Sequence, residues 1–262
     1  MPESKHRLAV LRQRMESMAQ APIRSGAEPC GIDGGGPIDL ALGGGLARGC
    51  VHEAFAASPD HAAGAAGFVA IIAQLLGGLV FWLRLGDAQR RGGLLHGPGL
   101  AEMGCDPGRL ILGVLPDPLS LLRAAAEIAR CDAIGVAVVE LWGDPRPLDL
   151  TASRRLALAA ESSGVTVLML RIGAEPSPSA ARSRWSVASA PAAPLAANAP
   201  GHPTFDLELL RQRGRPAGGR WRMEWNRDLG CFEQKAPLSG AVLPFPAGGS
   251  PDHDPVRHRR RA

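Results

Sequence analysis

The sequence predicts an α/β fold: a mainly parallel sheet between helices, extended by an antiparallel C-terminal meander. Three observations carry that prediction. Near-continuous apolar runs of strand length stand at 133–142 and 165–170, as in strands buried on both faces. Segments whose apolar residues recur at helical spacing alternate with them. After Arg171 the pattern changes to period-two alternation in arms joined by Gly- and Pro-rich turns, which suits antiparallel strands.

Taken in order, residues 1–20 contain an amphipathic helix over 4–20, with Leu8, Leu11, Met15 and Met18 on one face. That face either folds back on the chain's own core or docks on a partner, and these four are the candidate partner-contact residues. Residues 21–37 are Gly/Pro-rich without a period and read as a linker to the main domain, 38–235. Val51, His52, Glu53, Ala54 and Phe55 form the first strand, and a small-residue loop follows over 56–66. The uncharged stretch 62–83 is long enough to cross a bilayer. Gln74 and the Gly77-Gly78 break favour a buried helix, about 63–76, and then a buried strand, 79–83, with no membrane partner.

A loop with a short helical piece occupies 97–104, and 110–114 is a short buried strand. Asp117 and Pro118 suit the N-cap and first position of a helix over 118–130. Asp149 or Thr151 opens another over 148–163. Residues 184–188 alternate as a strand, an Ala/Pro spacer covers 190–203, and 205–213 pairs with 219–226 as a hairpin. In its second arm Trp221, Met223 and Trp225 face one way and Arg220, Arg222 and Glu224 the other. From 236 the chain is Pro/Gly-rich, ends in a basic run and reads as a disordered tail.

With 262 residues, 45% hydrophobic and 21% charged, the chain has the balance of a soluble domain with tails. Its formal charge of +4 is too modest to establish an anionic partner, and part of it sits in His258, Arg259, Arg260 and Arg261. Five cysteines, far apart and with no CxxC, fit neither a disulfide framework nor a zinc site. The first residues lack a signal peptide's apolar stretch, so a reducing cytoplasmic compartment is expected.

Particular residues carry a resemblance. Gly43, Gly44, Gly45, Leu46 and Gly49, leading into a strand that contains Glu53, resemble the approach to the first core strand of RecA-like domains. Arg182-Ser183-Arg184-Trp185-Ser186-Val187, Leu209-Leu210-Arg211-Gln212-Arg213-Gly214 and Trp221-Arg222-Met223-Glu224-Trp225 resemble the ImuA family. This RecA- and SulA-related bacterial family is encoded with error-prone polymerase components, and the resemblance covers roughly 38–232. It implies a RecA-like core and a role in SOS-induced translesion mutagenesis, with nucleoid association during DNA damage. The implied partners are an ImuB-like polymerase homologue, RecA and an error-prone replicative-type polymerase; direct DNA contact stays open.

The chemistry of an ATPase is missing from the motif. A phosphate loop needs G-x-x-x-x-G-K-[ST], whose lysine meets the β- and γ-phosphates and whose hydroxyl holds Mg²⁺. The matching place carries Ser58, Asp60, His61 and Ala62, and no lysine occurs between Lys5 and Lys235. Asp60 adds negative charge where phosphates would sit. Glu140, near the end of a buried strand, is a relic of the metal-holding acid and is expected to bridge local groups. His52 is expected as a satisfied core histidine, and Cys50 beside it has nothing in the sequence to orient the imidazole as a base. Arg211, Arg213, Arg215, Arg220 and Arg222 near Trp221 and Trp225 are the candidate nucleic-acid contacts. Glu208, Glu224 and Asp228 dilute them towards a solvated mixed-charge face. Val242-Leu243-Pro244-Phe245 is similar to the end of a sliding-clamp-binding peptide but lacks its glutamine.

The reading is a non-catalytic adaptor without a cofactor or metal. The alternatives are a nucleotide-dependent ATPase or switch with an atypical phosphate loop, and a SulA-like cell-division inhibitor.

Overall fold

The computed structural model describes residues 28–56 and 58–235, with Val10 and Gln13 as isolated helical positions. Leu8, Leu11, Met15, Met18 and the 242–245 peptide lie outside the described residues.

Apolar runs make the strands, and nine of them form one sheet. In chain order they are β1 (Val51–Ala56), β2 (Val80–Leu85), β3 (Leu110–Leu115), β4 (Val136–Trp142) and β5 (Thr166–Ile172), then β6 (Ser183–Ser189), β7 (Thr204–Gln212), β8 (Arg220–Asn226) and β9 (Cys231–Gln234). The order across the sheet is β3-β2-β4-β5-β1-β6-β7-β8-β9. Every pairing from β3 to β6 is parallel, and β6 to β9 is an antiparallel meander. The α/β architecture expected from the alternating pattern is thus present, including the change of style after Arg171.

The helices are α1 (Pro37–Leu42), α2 (Ala62–Leu76), α3 (Ala88–Gly92), α4 (Gly97–Glu102), α5 (Pro118–Ile128) and α6 (Leu150–Ser163). Helix α2 is apolar nearly all round because it lies across one face of the sheet, and Phe68, Val69 and Ile72 bury against Val138, Leu170 and Trp185. Gly77, at φ 75°, ends it with an amide that donates to Ala73 and Gln74 oxygens. Over Pro59–Leu76 the helical run is long and apolar enough to cross a membrane, yet half of that window is buried in the domain. Helices α5 and α6 cover the other face, where Leu121 and Leu156 pack on Leu83, Val139 and Met169. The sheet is therefore covered on both faces, as parallel strands require. Asp117 caps α5 by accepting from the Ser120 amide, and Asp149, not Thr151, caps α6 by accepting from Ala152.

Four local differences follow from packing. The loop expected over 56–66 is much shorter: β1 runs to Ala56, a 3-10 turn spans Pro59–His61, and α2 starts at Ala62. The strand expected as buried at 110–114 is the sheet edge, with Leu112 and Val114 exposed. Strand β9 and helices α1 and α3 are too short to stand out by periodicity. Within the stretch read as linker, Cys30 bridges to Leu46 and Ile32 is buried. Two carboxylates fix that turn: Asp33 accepts from the Ile38 and Asp39 amides at 2.8 and 3.1 Å, and Asp39 accepts from Ile32 and Gly35 at 2.8 Å each.

Candidate functional site

Parallel strands leave a crevice at their C-terminal ends, where open α/β sheets hold ligands. Here a cavity of about 290 Å³ opens there between Ala62 and Ala66 of α2, Arg84 of β2, Glu140 and Trp142 of β4, and the segment around Leu95. The connection from β1 to α2 borders it and contains Ser58, Asp60 and His61. Asp60 is exposed on the 3-10 turn, and Ser58 precedes that turn without a side-chain cap bond. His61 Nδ1 accepts from the Ser189 amide at 3.3 Å, which ties the turn to β6. Ala62 is buried under the turn. No side chain of this connection offers a positive charge in the position of a phosphate-loop lysine.

Glu140 bridges its neighbours, as the sequence led us to expect. Its Oε1 accepts from Arg84 Nη2 at 2.8 Å and from Trp142 Nε1 at 3.0 Å, and its Oε2 accepts from Trp82 Nε1 at 2.9 Å. The Arg84 and Glu140 side chains are 5% and 4% exposed, so the ion pair is buried. Arg84 Nη1 also donates to the Gly93 oxygen at 2.9 Å, holding the 92–96 segment against the strand ends. A metal competing for this carboxylate would have to displace a guanidinium and two indoles, leaving buried donors unpaired. Arg84, Trp82 and Trp142 were not singled out from sequence. The available signal was an arginine inside the apolar run Val80-Phe81-Trp82-Leu83-Arg84-Leu85, since a buried arginine needs a buried carboxylate.

A second charged cluster lies on the α6 face. Glu53 of β1, 1% exposed, pairs with Arg184 of β6 at 2.8 Å and accepts from Ser179 Oγ at 2.9 Å. Arg184 donates to Ser179 Oγ at 2.7 Å and to the Ser177 oxygen. Arg171 of β5 bonds Asp144 at 2.5 Å and lies 5.5 Å over the Phe55 ring. The Ser177 and Ser179 contacts fasten the 173–182 connection to β1 and β6.

Beside Cys50, the His52 imidazole is oriented, contrary to the expectation from sequence. Ser183 Oγ lies 2.6 Å from His52 Nδ1, and the Ala47 oxygen lies 2.8 Å from Nε2. Trp185 Nε1 donates to the same Ser183 oxygen at 2.8 Å, so the hydroxyl proton is directed at Nδ1. Nδ1 therefore accepts and Nε2 carries the proton towards Ala47. Cys50 Sγ, 3.2 Å from Nε2, thus faces an N–H and not a base. Burial lowers the imidazole to about 4 and raises the thiol to about 11, which keeps both neutral. Among the described residues no cluster of three or more His, Cys, Asp or Glu is arranged to hold a metal ion.

The arginine-bearing hairpin divides into two sets. On β8, Arg222 makes a two-bond fork with Asp206 at 2.7 Å each, and Arg220 reaches Glu208 at 3.0 Å. Their charge is neutralised across the strands, while Trp225 buries on the opposite face. Arg211, Arg213 and Arg215 at the end of β7 are exposed and have no ion-pair partner among the described residues. The five candidates thus do not form one basic surface.

No family model matches the chain. Protein ImuA of Caulobacter vibrioides strain NA1000 / CB15N is 35% identical over 226 residues, covering 76% of this chain and 82% of that protein. Protein ImuA of strain ATCC 19089 / CIP 103742 / CB 15 matches to the same extent. Among solved structures, the RadB recombinase superposes with a TM-score of 0.49 at 15% identity, covering 72% of this chain and 93% of that one.

Proposed function

The chain belongs to the ImuA family, and on that premise we propose that it is a non-catalytic adaptor in translesion synthesis. Its partners in this reading are an ImuB-like polymerase homologue, RecA, or both, and it acts in the cytoplasm without nucleotide turnover. The observation that carries the reading is the state of Glu140. Glu140, the carboxylate that lines the strand-end crevice among the described residues, is bonded to Arg84, Trp82 and Trp142, while the neighbouring connection presents Asp60 and no lysine. A phosphoryl-transfer site needs fixed positive charge around the phosphates, and this arrangement supplies none in the connection. The family's link to mutagenesis supplies the partner class.

The test is co-precipitation of the purified full-length chain with its host's RecA and ImuB-like protein, with and without Mg-ATP, beside thermal melting of the chain alone. The adaptor reading expects equal capture in both conditions and no shift in melting on adding nucleotide. Capture that requires ATP, together with stabilisation by ATP, would overturn it in favour of a nucleotide switch.

A further inference from the structure

We propose that the groove between α6, the 179–181 connection and the end of β7 is a docking site for an acidic, amphipathic segment of a partner protein. The groove has a volume of about 500 Å³ and lies on the sheet face opposite the strand-end crevice. Its floor and rim are aliphatic: Leu158 is 66% exposed and Leu150 36%, with Ala157 between them on the helix. Leaving a leucine this open forgoes part of the burial energy that a partner would recover.

The charges around that apolar strip are mostly positive, three arginines against one glutamate. Arg154 projects from α6, and Arg211 and Arg213 come from the end of β7. None of the three has an ion-pair partner among the described residues, and Glu161 is the only carboxylate lining the groove. The sheet also places like charges together. Arg211 sits directly opposite Arg184, whose own charge is held by Glu53, and the Arg213 amide donates to the Arg182 oxygen at 2.8 Å, bringing a fourth exposed arginine alongside. Opposed like charges are unfavourable in a sheet, and an anionic partner would relieve them. Strand β8 nearby shows the other outcome, in which Arg220 and Arg222 each receive a carboxylate from β7.

Charge and side-chain type together select the occupant. The chain's own ends do not fit: residues 1–20 carry Lys5, Arg7, Arg12 and Arg14 against Glu3 and Glu16, and the last residues carry four arginines against Asp252 and Asp254. No aromatic residue lines the groove, so bases would find no stacking platform. A helix or strand with leucine-type anchors on one face and Asp or Glu on its flanks satisfies both features. The inference goes beyond the adaptor reading and does not depend on whether the crevice takes nucleotide.

The test uses the full chain and a fluorescein-labelled synthetic peptide with leucines at helical spacing and glutamates elsewhere, read by anisotropy without ATP. Three further probes are the same peptide with lysine for glutamate, the same with serine for leucine, and labelled oligo-dT. The glutamate–leucine peptide is expected to bind best. Arg211→Glu with Arg213→Glu should weaken it by roughly tenfold or more, and Leu158→Ser by roughly fivefold. Arg220→Glu, the same charge change on the paired ladder, should leave it unchanged. The exposed positions leave folding intact, checked by melting. The proposal is overturned by no binding of the acidic peptide, by equal binding of the serine version, or by tighter binding of oligo-dT that ignores Leu158→Ser.

Discussion

The parallel half of the sheet and its antiparallel meander use the same pair of side chains, arginine and a carboxylate, in opposite ways. In the parallel half two pairs are wholly interior, Arg84 with Glu140 and Arg184 with Glu53, each at 8% exposure or less, while Arg171 is buried against the half-exposed Asp144. In the meander they lie on the surface, as Arg220 with Glu208 at 79% and 36% exposure. Interior pairs hold loops to strand ends, and their members cannot be removed singly without stranding a charge. Surface pairs cancel charge on a face that water already solvates. The interior pairs thus tie loops to strands, and the arginines beside α6, without an ion-pair partner among the described residues, stand out against both patterns.

The largest effect expected from this contrast is at Glu140. Glu140→Leu leaves the Arg84 guanidinium buried without its counter-charge and should cost about 3–5 kcal/mol, read by urea denaturation. Adding Arg84→Met should recover most of that loss, because a well-packed apolar pair replaces the ions. A single variant as stable as the wild type would remove the structural role assigned to the pair.

The second effect comes from His52, the neutral member of the interior. Its pKa lies near 4 in the folded chain against 6.5 ordinarily, because burial opposes the charged ring. Above pH 6.5 both states leave it neutral and stability is full. Between 6.5 and 4 the unfolded chain takes a proton that the folded chain refuses, so stability falls with falling pH. The loss is on the order of 3 kcal/mol in total and levels off below 4. Denaturation midpoints of the wild type and His52→Gln compared from pH 7.5 to 4.5 should converge, and parallel curves would refute the assignment.

The two halves also differed in how readable they were. The meander's facing was legible because Trp221, Met223 and Trp225 alternate with Arg220, Arg222 and Glu224, and period two has only two solutions. The parallel strands were legible as buried runs, but not their order or edge, since burial on both faces erases the pattern that would mark Leu112 and Val114 as exposed. Glu140 could be suspected from its place on a strand, whereas Arg84 as its partner depends on β2 lying beside β4, a long-range fact. The groove beside α6 joins residues from 150 to 213, which no local window contains.

A third, smaller effect tests how tightly the parallel half is packed. A Cβ at Gly135 would collide with the Gly77 carbonyl and lie 2.8 Å from Gly78 Cα, and a backbone cannot rotate away as a side chain can. Gly135→Ala should cost about 1–3 kcal/mol by thermal melting, as overpacking does. Full retention of stability would mean that the α2–β2 turn can shift.

The smallest effect belongs to the meander, where it is the smallness that is predicted. A double-mutant cycle on Arg220→Ala and Glu208→Ala should give a coupling below about 1 kcal/mol, since both groups remain open to water. The coupling should shrink further in molar salt, where screening reaches about 3 Å. The buried Arg84–Glu140 pair put through the same cycle should keep its coupling in salt, because ions do not enter between the groups. If the two cycles responded alike, burial would not be what separates the halves, and the contrast with the open arginines of the α6 groove would lose its footing.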